Sequence, residues 1–166
     1  MANEFVIADL HFGHKGILTK GREFPSIEAH DEYLIEGWNQ VVRPNDKVRV
    51  LGDVALGRKH LRQMARLNGK KSLVGGNHDT HALRHLAPYF YAVYGTRAFD
   101  DLILSYIPIH PVSLLQRWLA NVHGHVHARC VDLGARYFNV SAEVIEYTPL
   151  AMEEVRDRIR HQQGRV

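Results

Sequence analysis

Apolar runs in this chain are short, and most stop abruptly at a polar cluster. Residues 4–8, EFVIA, predict a buried strand, with Asp9 following at once. KVRVL at 47–51 predicts a second strand, ended by Gly52-Asp53. KSLV at 71–74 predicts a third, ended by GGNHD. Residues 29–42 place Tyr33, Leu34, Trp38, Val41 and Val42 near a 3.6-residue period, which predicts an amphipathic helix stopped by RPND. RKHLRQMARLNG predicts a short helix with Gly69 as its C-terminal stop, and another short helix ends near Pro88. YFYAVYG and RAFDDLILSYI read as a strand pair, and Leu114 to Ala120 as a short helix. NVHG and ARYFNV read as two further strands. Thr148-Pro149 reads as an N-cap with proline at the first helical position, opening a last helix at about 150–162. Met152, Val155 and Ile159 share one face of it.

Strands and helices alternate first, and strands dominate later. That order predicts an α/β core of two stacked sheets with helices outside. Ligands of open α/β sheets bind beyond the carboxyl ends of the strands. The clusters Asp9-Leu10-His11, Gly52-Asp53 and Gly76-Asn77-His78-Asp79 all occupy such ends, so they are expected to converge.

Composition narrows the function classes. A length of 166 residues suits one domain spanning 1–166. No apolar run approaches the roughly 20 residues of a membrane span. The start, MANEFVIADL, has neither a basic region nor a long apolar one, so a cytoplasmic protein without membrane partners is expected. The lone Cys130 excludes an internal disulfide and reads as a small, semi-buried thiol. A formal net charge of +3 fits an anionic substrate without marking a nucleic-acid binder. The 12 histidines are more informative, because several follow apolar runs.

Asp9 and His11 lie two residues apart at a strand end and so face one way. A carboxylate and an imidazole together suit a divalent metal. Asp53 is a candidate bridging carboxylate, with one oxygen for each of two ions. In GGNHD, Asn77 offers a neutral oxygen, His78 is a candidate general acid, and Asp79 is placed to hold its ring. NVHGHVHARC carries His123, His125 and His127 at alternate positions. His125 and His127 are candidate metal ligands. His123 precedes the glycine and reads as a supporting or strand-face residue. His14 and Lys15 just beyond the first cluster, and Arg58 and Arg84 after the second and third, are candidate anion contacts.

The ordered set DxH, GD, GNHD and GHxH resembles the calcineurin-like metallophosphoesterase superfamily. It spans Asp9 to His127, and the tail YFNVSAEVIEYTPL is similar to small bacterial and phage-type members. The resemblance implies a four-layer α/β/β/α sandwich with two mixed sheets and a dinuclear metal centre. It implies Asp9, His11 and His127 on a first ion, Asn77 and His125 on a second, and Asp53 between them. Two divalent ions (Mn, Fe, Ni or Zn) would share a water, and the bridging hydroxide would attack phosphorus. His78 would protonate the leaving oxygen. The implied activity is hydrolysis of phosphate esters, phosphodiesters first, with nucleotides and nucleic acid among the candidate substrates.

Two departures stand out. Leu56 in GDVALGR replaces an aspartate of the protein phosphatases, which argues against that activity. Tyr106 in ILSYIPIH replaces a further metal-binding histidine, and a tyrosine ligates only as phenolate, at a cost set by its pKa of about 10. His110, four residues on between Pro108 and Pro111, is a candidate substitute ligand or substrate contact. The same departure keeps a second class open, a catalytically degenerate scaffold that binds proteins.

Overall fold

A computed structural model describes residues 2–129 and 132–164, so Cys130 lies outside the described residues. Four apolar segments, β1 (Glu4–Ile7), β2 (Lys47–Leu51), β3 (Lys70–Val74) and β4 (Phe90–Tyr94), form parallel neighbours. With β9 (Leu150–Ala151), antiparallel to β1, they make a five-stranded sheet in the order β4-β3-β2-β1-β9. The second sheet has the order β5-β6-β7-β8, from β5 (Thr96–Phe99), β6 (Leu102–Ser105), β7 (Ala120–His123) and β8 (Tyr137–Asn139). There β5 and β6 form a hairpin, and β6, β7 and β8 run parallel. The fold class is α/β with two mixed sheets, as expected.

The helices are α1 (Ile27–Val41), the short α2 (Leu83–Leu86) and α3 (Met152–Gln162). The Ser26 side chain caps α1 by accepting from the Ala29 amide. Leu34, Ile35 and Trp38 of α1 enter the core. Met152, Val155 and Ile159 of α3 are buried, the face the sequence predicted, and α3 packs against β1, β8 and β9. No described helix is long and apolar enough to cross a membrane.

Several expected elements differ. Tyr33 and Val41 are exposed, because α1 buries a stripe that includes polar His30 and Asp31 instead. Residues 58–66 form a 3-10 helix ending before Leu67, and Gly69 serves the turn into β3 rather than stopping that helix. YFYAVYG and RAFDDLILSYI do not pair. The chain changes sheet at Gly95, with β4 on the edge of the first and β5 on the edge of the second. Leu114 to Ala120 contains a turn leading into β7 and no α-helix, since Pro111–Ser113 takes the one helical turn there. Thr148-Pro149 does not cap α3: β9 intervenes, and Ala151 stands at the cap without a side-chain bond.

One junction between the sheets sets up the site. The Ala8 amide donates to the Val140 carbonyl at 2.8 Å, and the Ala142 amide to the Ala8 carbonyl at 2.9 Å. The end of β1 is thereby tied to the end of β8. The loop after β1 is tied to that after β2, with His11 N donating to Asp53 O at 2.8 Å and Phe12 N to Val54 O at 3.0 Å.

Candidate metal centre

Each candidate ligand follows the carboxyl end of a strand. Asp9 and His11 follow β1, Asp53 follows β2, Asn77 and His78 follow β3, Tyr106 follows β6, and His125 and His127 follow β7. Asp9, His11, Asp53, His125 and His127 all hold positive φ angles, from 53° to 69°. Side chains other than glycine enter this region at a cost, and such residues gather at functional sites. Glycine is required beside two of them. A Cβ on Gly124 would lie 2.5 Å from Asp9 Oδ2, and one on Gly52 would lie 2.2 Å from the Tyr106 ring.

Asp9, His11 and His127 come together with one ligand atom each, all within 4.8 Å of one another. His11 Nε2 is 3.9 Å from Asp9 Oδ1 and 3.5 Å from Asp53 Oδ2, and His127 Nε2 is 3.9 Å from Asp9 Oδ1. Nitrogen and oxygen ligands about 2.0–2.2 Å from one ion lie about 3–3.6 Å apart, so small side-chain shifts would close this set. Asp9 Oδ1 and His11 Nε2 are buried and have no hydrogen-bond partner among the described residues. Buried polar atoms are nearly always paired, so two orphans facing one point fit a cation there.

The rest of each side chain is fixed. Asp9 Oδ2 accepts from His125 N at 2.8 Å and from Ser141 Oγ at 2.7 Å, leaving Oδ1 free. Burial pushes Asp9 up to about 6, despite the opposing pull of His127 and the Ser141 bond. Burial, reinforced by the Arg22 charge, holds His11 far below the ordinary imidazole range, so it is neutral and can ligate. Its Nδ1 lies 3.1 Å from His14 Nδ1. Burial would lower His127, but its Glu143 bond and the charges of Asp9 and Glu143 outweigh that and raise it. His127 Nδ1 meets Glu143 Oε1 at 2.7 Å, the carboxylate–imidazole pairing that orients metal-binding histidines.

Behind Glu143 runs a buried chain that the sequence reading missed. Arg22 donates to Glu143 Oε2 at 2.5 Å and to the Asp9 carbonyl at 2.6 Å. Arg22 Nη1 lies 2.9 Å from His30 Nε2, which must accept because arginine only donates. His30 Nδ1–H then donates a hydrogen bond to Asp31 Oδ1 at 3.0 Å, and Asp31 Oδ2 accepts from Gly13 N at 3.0 Å. Burial raises Glu143, yet the His127 hydrogen bond and the Arg22 charge override it and hold the carboxyl down at about 2. Ser141 and Glu143 stand in the tail segment VSAEV, directly after β8. Nothing local marks Arg22, His30 or Asp31.

Tyr106 is buried beside this group. Its Oη lies 2.7 Å from Asp53 Oδ2, 2.6 Å from Asn77 Oδ1 and 2.7 Å from His125 Nδ1. Burial, then the bond to Asp53, push the phenol above its usual value, so it stays protonated. His78 is partly exposed on the rim, with Nε2 3.9 Å from Asp53 Oδ2.

Other expected residues stand elsewhere. The Asp79 carboxylate does not hold the His78 ring. It accepts from three backbone amides, Asp53 at 2.9 Å, Val54 at 2.9 Å and Gly76 at 2.8 Å, so it fixes the loops after β2 and β3. His110 is exposed and does not join the ligand cluster. Its Nδ1 accepts from Val112 N at 3.2 Å and caps the 3-10 turn at Pro111–Ser113. Lys15 lines a different cavity, and Arg58 and Arg84 line another. His123 is buried on β7 with Nδ1 on its neighbour's carbonyl, outside the ligand cluster. The cleft over the site, about 200 Å³, is instead walled on its basic side by Lys20 and Arg129, with His14 beside them.

No model of a known protein family matches the chain. It is 32% identical over 164 residues to the uncharacterized protein MJ1445 of Methanocaldococcus jannaschii, covering 92% of this chain and 89% of that one. The chain belongs to the family of that archaeal protein. It is also 29% identical over 164 residues to the gene 66 protein of Mycobacterium phage D29, covering 79% and 81% of the two chains. Its fold is shared with AQ665, a protein of unknown function from Aquifex aeolicus. That match has a TM-score of 0.80 at 24% identity over 95% of this chain and 99% of that one. A remoter likeness is to a novel archaeal phosphodiesterase, with TM-score 0.49 and 16% identity over 84% and 82% of the chains.

Proposed function

We propose that the chain is a single-domain, metal-dependent phosphoesterase, a small member of the calcineurin-like metallophosphoesterase superfamily. The observation that carries this reading is the pair of unpartnered buried atoms, Asp9 Oδ1 and His11 Nε2, facing His127 Nε2. The mixed nitrogen and oxygen donors, with no thiolate, suit Mn, Fe, Ni or Zn. A bound divalent ion would supply Lewis acidity toward a phosphoryl oxygen and make a water acidic enough to attack near neutral pH.

The chain's own groups do the rest. Glu143 fixes the His127 ring, and Ser141 with the His125 amide fixes Asp9. Lys20 and Arg129 on the cleft wall favour an anion there. His78, on the rim between cleft and solvent, is placed to give a proton to the leaving oxygen. Phosphodiesters are the preferred class, because a second cavity of about 430 Å³ adjoins the first and shares Val126 and Arg129 with it. A diester has two arms, and this arrangement offers room for each. Nucleotides or nucleic acid are the proposed source of such diesters.

The test is hydrolysis of bis-p-nitrophenyl phosphate and p-nitrophenyl phosphate by metal-stripped protein, with Mn, Ni, Zn or Mg restored. Metal-dependent turnover favouring the diester supports the proposal. Absence of turnover with every ion would contradict it and leave the protein-binding scaffold as the reading.

A further inference from the structure

Resting on that metal-dependent reading, we propose that the centre holds one ion, and that the Tyr106 hydroxyl occupies the place of a second. Asp53, Asn77 and His125 sit on loops after β2, β3 and β7, and their side chains meet at a single atom, Tyr106 Oη. Two oxygens and an imidazole nitrogen converging from three loops form a donor set of the kind that holds a divalent cation. Here a phenol fills the point of convergence. It has one proton to give and two lone pairs to receive with, so it engages a carboxylate or amide oxygen and accepts from the His125 Nδ1–H.

The two halves of the cluster therefore differ in kind. In the group of Asp9, His11 and His127, Asp9 Oδ1 and His11 Nε2 are buried and have no partner among the described residues. Around Tyr106, Asp53 Oδ2, Asn77 Oδ1 and His125 Nδ1 all lie within 2.7 Å of the hydroxyl oxygen, whose one proton serves one of the two oxygens. The tyrosine is also built into position. Its ring is 6% exposed and packs edge-on to His125 with centroids 4.8 Å apart. Gly52 leaves the space for it, and the Tyr106 carbonyl accepts from the Gly124 amide at 3.0 Å. A ring held this way does not swing aside to admit an ion. Asp53 Oδ2, 3.5 Å from His11 Nε2, then serves one ion instead of bridging two, with Tyr106 as its positioning residue.

The experiment is metal counting on the whole chain. Metal-stripped wild type and Tyr106→His are titrated to saturation with Mn(II), counted by elemental analysis and examined by electron paramagnetic resonance. The expected result is one Mn per wild-type chain with the six-line signal of an isolated ion. Tyr106→His is expected to hold two, with an exchange-coupled signal. Two coupled ions in wild type would overturn the one-ion proposal while leaving metal-dependent hydrolysis standing. No ion in wild type would remove the metal-dependent reading, and this proposal with it. One ion in both proteins would refute the role given to the hydroxyl. Should Tyr106→His fail to fold, the wild-type count and spectrum decide alone.

Discussion

Asp9 Oδ1 and His11 Nε2 lie 3.9 Å apart in the interior, and neither has a hydrogen-bond partner among the described residues. A buried carboxylate oxygen without a partner opposes folding, and so does an unpaired imidazole nitrogen. Both residues also hold left-handed backbone, and strain of this kind gathers at functional sites.

Asp9→Asn tests the cost of the buried carboxylate. The amide oxygen can keep the bonds from His125 N and Ser141 Oγ, while the buried charge disappears. Metal-free Asp9→Asn is expected to be about 1 kcal/mol more stable than wild type in urea, and to bind Mn more than about 100-fold more weakly. A strongly destabilised variant would mean that the carboxylate serves the fold instead.

Glu143→Gln tests the support behind His127. Glu143 is held down at about 2, against an ordinary value of 4.5. Its stabilising effect is therefore fully present above about pH 4.5 and is lost as pH falls from there through about 2. In metal-free protein at pH 7 the variant is expected to lose about 3 kcal/mol, because Arg22 stays buried without its carboxylate. The gap between wild type and variant should narrow as urea midpoints are taken from pH 5 to pH 3. A gap independent of pH would rule out the Arg22–Glu143–His127 linkage as its source.

His78→Ala separates chemistry from binding. His78 lies on the rim and outside the three-ligand group, so Mn affinity should change little while diester turnover falls about 100- to 10,000-fold. Undiminished turnover would exclude proton transfer by His78.

His110→Ala should change neither Mn affinity nor turnover by more than about twofold, since among the described residues the ring bonds only to its own turn. A tenfold loss of metal would show that this loop folds over the site.

Much of this was legible in the chain. β1, β2 and β3 and the clusters beyond them could be read because parallel strands buried on both faces are short apolar runs, and their ends carry the ligands. Pairing was less legible. YFYAVYG forms β4 and RAFDDLILSYI folds into the β5–β6 hairpin, and only tertiary packing sends the two segments to different sheets. Asp79 beside His78 invited a side-chain partnership, but three unpaired amides within reach claimed its carboxylate. The sequence marks Tyr106 as standing in for a histidine ligand, but not that the side chains of three loops meet at its hydroxyl. The Arg22, His30 and Asp31 chain left no pattern at all, because its members belong to a loop and to the buried side of α1.

The most direct measurement is an anomalous-scattering map of Mn-soaked crystals, collected at the Mn edge. The account predicts one peak per chain, bounded by Asp9 Oδ1, His11 Nε2 and His127 Nε2, with the Tyr106 hydroxyl still in contact with Asp53, Asn77 and His125. An empty Asp9–His11–His127 group at saturating Mn would contradict the central claim.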